Sequence, residues 1–448
     1  MRTDSSRTTC CVVGGGPAGI LLGYLLARSG IAVTVLEKHK DFLRDFRGDT
    51  VHPWTLELMH ELGLLEDLLR IPHQKVRAVR AFFGGSDFEL ANLRGLKTRC
   101  PYVALMPQWD FLNFLSERGR QYPEFDLRME HEAVDLVRDG GRIRSVVVRT
   151  PQGTEQIGAD LVVGCDGRHS VLRRSADLKV HDVGAPIDVL WFHISRGKHD
   201  PEQQVVGNIN YGKILILLDR GDFFQAGLII RKGSFEKIRQ EGLESFRNTL
   251  SQIAPYLAGR VGELQDWEQV KLLSVQINRL ERWHRPGLLC LGDAAHAMSP
   301  AFGVGINLAI QDAVAAANIL AIPLRRGEDT DGLLARVQRR REFPTKVTQV
   351  LQVIAHKGME YVFRQQGPMR PPLPLRIAVR IPGFQQTLAR VVGIGVRPEH
   401  LNPSLIAPGS STSGQWAKQI AGVCAGFAAA ATVAWRSFIA EPASLNSR

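Results

Sequence analysis

The stretch that most constrains this chain is TTCCVVGGGPAGILLGYLLARSGIAVTVLEK, Thr8 to Lys38. It reads as a buried strand, a glycine turn, an apolar helix and a second strand. Gly14, Gly16 and Gly19 fit the pattern G-x-G-x-x-G where that pattern carries meaning, directly after a strand and opening a helix through Pro17 and Ala18. Each glycine has its own task. Gly14 makes the tight turn, Gly16 lets backbone approach a pyrophosphate, and Gly19 lets helix and sheet pack closely. The second strand ends in Glu37, at the distance where an acid accepts both hydroxyls of an adenosine ribose. A carboxylate there repels a 2′-phosphate, which argues against NADP at this position. The unit is a dinucleotide site.

A chain of 448 residues exceeds one ordinary core and suits two closely packed domains. Its composition, 44% hydrophobic and 23% charged, is that of a globular protein. The net charge is +11 and the pI about 9.6, with the densest basic run at RVQRRREFPTK, Arg336 to Lys346. No nucleic-acid module accompanies that run, so it reads as a solvated helix face. Cys10, Cys11, Cys165 and Cys290 fall in expected buried strands, as reduced core residues do. No His/Cys cluster has metal-ligand spacing, and no metal site is expected. MRTDSSR, ahead of the first strand, lacks the apolar stretch of a signal peptide, and the expected location is cytoplasmic.

Two further strands end in acids. ADLVVGCDGRHSVLRR, Ala159 to Arg174, ends its apolar run at Asp166 and Gly167. GLLCLGDAAHAMSPAFGVGIN, Gly287 to Asn307, ends its strand at Gly292 and Asp293. It then runs through Pro300, Gly303, Val304, Gly305, Ile306 and Asn307 into LAIQDAVAAANILA, whose spacing predicts a helix from near Gly305. Ligands of α/β sheets bind at the carboxyl ends of strands. Two acids on separate strand ends suit a long ligand lying across the sheet. FAD is such a ligand: Asp293 can accept from its ribityl hydroxyls, and a helix start stabilises the charge its ring gains on reduction.

With these motifs in order, the sequence resembles the single-component flavoprotein monooxygenases typified by para-hydroxybenzoate hydroxylase. RGDTVHPWTLELM and MPQWDFLNFL add weaker matches, where the resemblance implies that Arg47 meets the FAD phosphates and Gln108 contacts FAD. It implies that Asp166 also helps NAD(P)H to dock transiently, that Asp293 holds the ribityl chain, and that Pro300 and Gly303 to Asn307 line the flavin beside the reaction site. Trp54 stands where many relatives carry a second arginine. The chemistry implied is reduction of FAD by NADH or NADPH, addition of O2 at the flavin C4a, and delivery of one oxygen from the hydroperoxide. The acceptor is an aromatic or polycyclic small molecule, by hydroxylation or epoxidation. A reductase or dehydrogenase of the same fold, and a flavin redox sensor without catalysis, are the competing readings.

The fold expected is α/β, a Rossmann-like FAD-binding domain with an inserted, mainly antiparallel β-sheet substrate domain and C-terminal helices. Residues 1–177 form the first part of the FAD domain, with small inserted strands near 75–105; 178–280 form the substrate sheet; 281–360 complete the FAD domain; 361–448 follow as a helical region with an apolar tail. Trp191, Phe192, Tyr211 and Phe224 are candidate walls of the substrate pocket, with core packing the competing role for each. His52 is a candidate base for a phenol, and His296 a structural histidine of the Gly-Asp motif. The tail QIAGVCAGFAAAATVAWRSFIA, Gln419 to Ala440, has 17 uncharged residues between Lys418 and Arg436, at the short edge of the roughly 17–25 that span a bilayer. Packing on the protein or a dimer partner and attachment to a membrane surface are both open for it. So are a monomer and a homodimer.

Overall fold

The computed structural model describes residues 5–43, 49–198, 200 and 205–405. Arg47 and the apolar tail lie outside the described residues.

Five parallel strands form the central sheet, in the spatial order Phe125–Met129, Val33–Glu37, Ser5–Val13, Gly153–Gly164 and Leu288–Cys290. The strands Glu132–Asp139 and Arg142–Thr150 add antiparallel to the early half of Gly153–Gly164. Register explains why the sequence motifs meet. Val13 pairs with Leu36 on one side and Gly164 on the other, and Gly164 pairs with Cys290. The glycine turn, the segment at Asp166 and the segment at Asp293 therefore leave the sheet at one edge.

Glycines set how closely the helix Pro17–Arg28 lies on this sheet. A Cβ on Gly19 would sit 1.9 Å from the Gly14 carbonyl oxygen, and one on Gly23 2.5 Å from Val35 Cγ2. Any larger side chain would push the helix off. Helix Gly305–Arg325 packs beside it and starts where its sequence pattern begins. That helix is apolar enough to cross a membrane by composition, but it is mostly buried in the protein and serves as core. Cys10, Cys11 and Cys290 are buried in the central strands without disulfides, while Cys165 at the strand end is half-buried.

A second sheet has seven strands, in the order Lys271–Ser274, Ile187–Ser195, Phe223–Arg231, Lys213–Asp219, Val205–Asn210, Ala78–Phe83 and Ser86–Asn92. All its pairs are antiparallel except Val205–Asn210 with Ala78–Phe83. The strands Ala78–Phe83 and Ser86–Asn92 thus extend the same sheet as the later segment. Alternation sorts its side chains into two faces. Leu190, Phe192, Ile194 and Phe224 pack with Phe246 and Leu250 of helix Leu243–Ile253. Val189, Trp191, Ile214 and Ile229 face the other way, toward a cavity.

The helix Asp331–Phe363 is 33 residues long and contains the whole basic run. Arg336, Arg339 and Arg340 are exposed there, but Arg341 is fully buried, which corrects the reading of the run as a solvated face. Arg341 pairs with Asp312 at 2.9 Å and Glu399 at 3.3 Å, and it is the packing of these two acids that draws it inside.

Candidate active site

One cavity of about 1350 Å³ runs from the glycine turn to the second sheet. Gly14, Gly16, Pro17, Ala18, Glu37, His52, Gln108, Asp166, Gly167, Gly292, Asp293, Pro300, Gly303, Gly305 and Ile306 all line it. Gly19, Val304 and Asn307 do not. Gly19 is spent on helix packing, and Asn307 is buried, accepting a 3.1 Å hydrogen bond from Thr55 Oγ1.

The glycine end is shaped by backbone. Gly14 adopts φ 107°, and a Cβ there would lie 2.3 Å from the Cys165 carbonyl oxygen. A Cβ on Gly16 would meet nothing within 4 Å, so the space beside it is open to a ligand. Glu37 reaches back to this turn, accepting from the Gly15 N–H at 3.1 Å and the His39 N–H at 3.1 Å. Asp166 Oδ2 accepts from the N–H groups of Val171 and Leu172 at 2.7 and 3.2 Å. Its Oδ1 is buried with no partner. Burial raises the Asp166 pKa, against the pull of those N–H groups. An unsatisfied buried acceptor beside an open glycine turn asks for a hydroxyl or amide donor from a ligand. Asp293 lies 3.6 Å from Arg168 Nη2. These residues fit a long dinucleotide, with the open turn for its pyrophosphate and acids for its hydroxyls.

The Gly-Asp motif stands on a buried ionic network. Asp312 Oδ2 accepts from the Gly292 N–H at 3.1 Å and lies 2.6 Å from His296 Nε2, while Oδ1 takes Arg341. Burial pushes the Asp312 carboxyl up, but His296 and Arg341 outweigh it and hold the carboxyl below its ordinary value. His296 is thereby structural, as its place in the motif suggests. Further along the same long helix, Gln352 accepts from the Ser299 N–H at 3.1 Å and donates to the Ser299 carbonyl at 2.9 Å. Ser299 Oγ accepts from the Ala301 N–H and lies in hydrogen-bond contact with His356 Nε2 at 2.9 Å. These contacts fix the loop that carries Pro300. Sequence reading missed them; the signal was a row of polar residues, Thr345, Gln349, Gln352 and His356, at helical spacing.

His52 is buried, with Nδ1 2.7 Å from the Val392 carbonyl and Nε2 3.0 Å from the Gly303 carbonyl. Burial holds its pKa below the ordinary value, while both carbonyls favour the charged form. The ring thus ties Gly303 to the C-terminal helix Phe384–Gly393. Sequence reading also missed Asp49, which accepts from the Gln108 N–H at 3.2 Å and pairs with Arg220, from the turn between two strands of the second sheet. Burial raises the Asp49 pKa to about 6 even though Arg220 opposes the shift.

The far end is aliphatic. Ala81, Val189, Ile209, Ile214, Ile216 and Ile229 come from five strands, and Met359 and Val362 from the long helix. Of the four aromatic candidates, Trp191 lines the cavity, lying over Gly227, and its indole N–H has no partner. Phe192 and Phe224 are core on the opposite face of the sheet, and Tyr211 sits in a turn at φ 47°.

Residues 7–350 match the family described as "FAD binding domain". The chain is 31% identical over 392 residues to 6-methylpretetramide 4-monooxygenase of Streptomyces rimosus, covering 87% of this chain and 93% of that one. It is 24% identical over 347 residues to para-nitrophenol 4-monooxygenase of Pseudomonas sp. (strain WBC-3), covering 72% and 80%. Among solved structures, P. aeruginosa PqsL in complex with 2-aminobenzoylacetate has a TM-score of 0.69 at 22% identity, covering 80% of this chain and 98% of that one. The myxobacterial halogenase CndH reaches 0.69 at 19%, covering 90% and 95%, so the fold alone does not choose a reaction. The family match and the 31% relative agree with the strand-end acids and the open glycine turn, and the chain belongs to the FAD-binding family of flavin-dependent aromatic monooxygenases.

Proposed function

We propose that the protein uses FAD, NADH or NADPH, and O2 to hydroxylate or epoxidise a large, apolar aromatic or polycyclic small molecule. The observation that carries this reading is the single cavity, which joins a dinucleotide end to an aliphatic end without a wall between them. FAD supplies the redox and oxygen chemistry when bound. The protein supplies the rest. Gly14 to Gly16 admit the pyrophosphate, Glu37 meets the ribose, and Asp166 and Asp293 take the hydroxyls between them and the ring. Arg47 and Gln108 complete the hold on the cofactor. Pro300, Gly303, Val304, Gly305, Ile306 and Asn307 shape the edge on which the ring rests, with Val304 and Asn307 acting from behind that surface.

His52 then serves as a positioning residue. Carbonyls lie 2.7 and 3.0 Å from its two nitrogens, and through the one N–H of a neutral ring it holds the loop that packs on the helix Phe384–Gly393. The aliphatic far end excludes water, which protects an oxygen-transfer reaction from side hydrolysis. Its mainly apolar lining also favours a substrate with a large apolar surface. The relative that acts on 6-methylpretetramide is in keeping with a polycyclic substrate.

The test is an anaerobic screen of neutral polycyclic phenols and small aromatic acids for compounds that speed flavin reduction by NADH or NADPH. The reading expects acceleration by polycyclic compounds and none by small acids. Acceleration followed, under air, by a product that gains no oxygen would favour the reductase reading instead.

A further inference from the structure

From Arg341 onward the helix Asp331–Phe363 is largely turned inside out. Its buried face carries Arg341, Thr345, Gln349, Gln352 and His356, none more than 2% exposed. The opposite face presents Phe343, Val350, Ile354 and Tyr361, at 53, 57, 41 and 42% exposure. Their spacing of seven, four and seven residues puts them on one line along the helix. The helix Leu373–Ala378 repeats the arrangement. Leu373 and Ile377 on it, and Ile381 in the turn just beyond, follow at intervals of four, at 63, 55 and 48% exposure. Single exposed apolar residues are ordinary, but rows of them on one face mark an interaction surface.

Charge says what the surface meets. Between Phe343 and Pro398 the chain has eight Lys or Arg residues and one acid, Glu360. Lys346, Arg364, Arg370, Arg376 and Arg380 are all exposed. Lys346, which pairs with Glu342 at 2.8 Å, and Arg364, just past the end of the long helix, each stand three residues after a member of the apolar row, so they edge it. A second copy of the chain would bring one such basic edge against another and be repelled. Apolar side chains beside Lys and Arg suit the headgroup boundary of an anionic bilayer. The sequence beyond Leu405 adds the uncharged run that precedes Arg436, a second apolar segment on the same chain.

We propose that the outward face of Asp331–Phe363 and the helix Leu373–Ala378 dock on an anionic lipid surface. Both elements also wall the cavity, through Met359 and Val362 on one and Leu375 on the other. On the function proposed above, docking brings a lipid-dissolved substrate to the cavity's aliphatic end. The docking itself does not depend on that function, and a binding assay separates the two.

Full-length, FAD-loaded protein is floated with vesicles of phosphatidylcholine alone and with vesicles that also contain phosphatidylglycerol. The expected result is flotation with the anionic vesicles only, lost in high salt. Val350→Asp combined with Ile354→Asp is expected to weaken partitioning by on the order of tenfold or more, with the visible flavin spectrum unchanged. Arg376→Glu with Arg380→Glu is expected to weaken it less. Failure of the wild-type protein to float would overturn the proposal, as would a Val350/Ile354 variant that floats like wild type, which would leave the tail as the only lipid contact. A wild-type dimer that this variant dissociates would assign the face to a second copy. A chain ending at Leu405 that floats better than the full-length protein would assign it to the tail.

Discussion

At the glycine end of the cavity the backbone sets the surface, with Gly14 at φ 107° and bare space beside Gly16, and two of its acids, Glu37 and Asp166, are held by N–H groups. At the far end the surface is mainly side chain, largely aliphatic groups from strands of the second sheet and from three helices, with Trp191 among them. A backbone site tolerates almost no change of residue type, because each glycine answers a distance or a dihedral angle. An aliphatic wall asks only for volume and apolarity, which many residues supply. The first kind of site recognises one cofactor, and the second can be refitted to new substrates.

The largest expected effect separates two kinds of glycine at the rigid end. Gly19→Val should prevent folding, since its Cβ already collides with the Gly14 carbonyl oxygen at 1.9 Å. Gly16→Val should give a folded protein without flavin, because its Cβ meets no atom of the described residues within 4 Å and the proposed pyrophosphate would compete for the space. Circular dichroism and flavin absorbance read the two outcomes. A folded, yellow Gly16→Val protein would end the distinction.

Next is the network under the Gly-Asp motif. Arg341→Leu leaves Asp312 and Glu399 buried without their shared cation. Denaturant unfolding should show a loss of about 3–5 kcal/mol, the usual result of removing one partner of a buried pair. A loss below about 1 kcal/mol would mean that the motif does not lean on this network.

Asp49 joins the two ends, since Gln108, at the start of the helix Gln108–Gly119, and Arg220, from a turn of the second sheet, meet on it. Its folded pKa, about 6, lies above that of an ordinary aspartate. The folded state therefore takes up a proton as pH falls through about 6, before the unfolded chain does. Stability from this group rises between about pH 6 and pH 4 and is lost again as pH increases. Asp49→Asn should flatten that part of the stability–pH curve. An unchanged curve would contradict the assignment.

The smallest effect belongs to the far end. Trp191→Phe removes an indole N–H that has no partner among the described residues, so stability should change by less than about 1 kcal/mol. KM for a polycyclic substrate should rise if that N–H orients it, while a small phenol should be indifferent. Equal effects on both would show that the wall does not discriminate.

The same contrast governs what could be read before the structure. The glycine turn, Glu37, Asp166 and Asp293 were legible because parallel register brings strand ends to one edge, and each position permits few residue types. The helix from Gly305 was legible from its spacing. The split of Trp191 from Phe192 and Phe224 was not, because alternation divides a strand into two faces without saying which one meets a cavity. Asp49 and Arg220 lie 171 residues apart and meet only through the docking of the two sheets. The long helix misled for a related reason: its polar residues read as solvent-facing, and burial of Asp312 and Glu399 drew Arg341 inward.

The central claim is that the two ends act on one molecule, with the cofactor end serving an oxygenation at the aliphatic end. The direct test is turnover of a polycyclic hit under isotopically heavy O2, with mass analysis of the product. The account predicts one heavy oxygen atom per product molecule and none from water. A product without heavy oxygen, or one that differs from substrate only in hydrogen content, would contradict it.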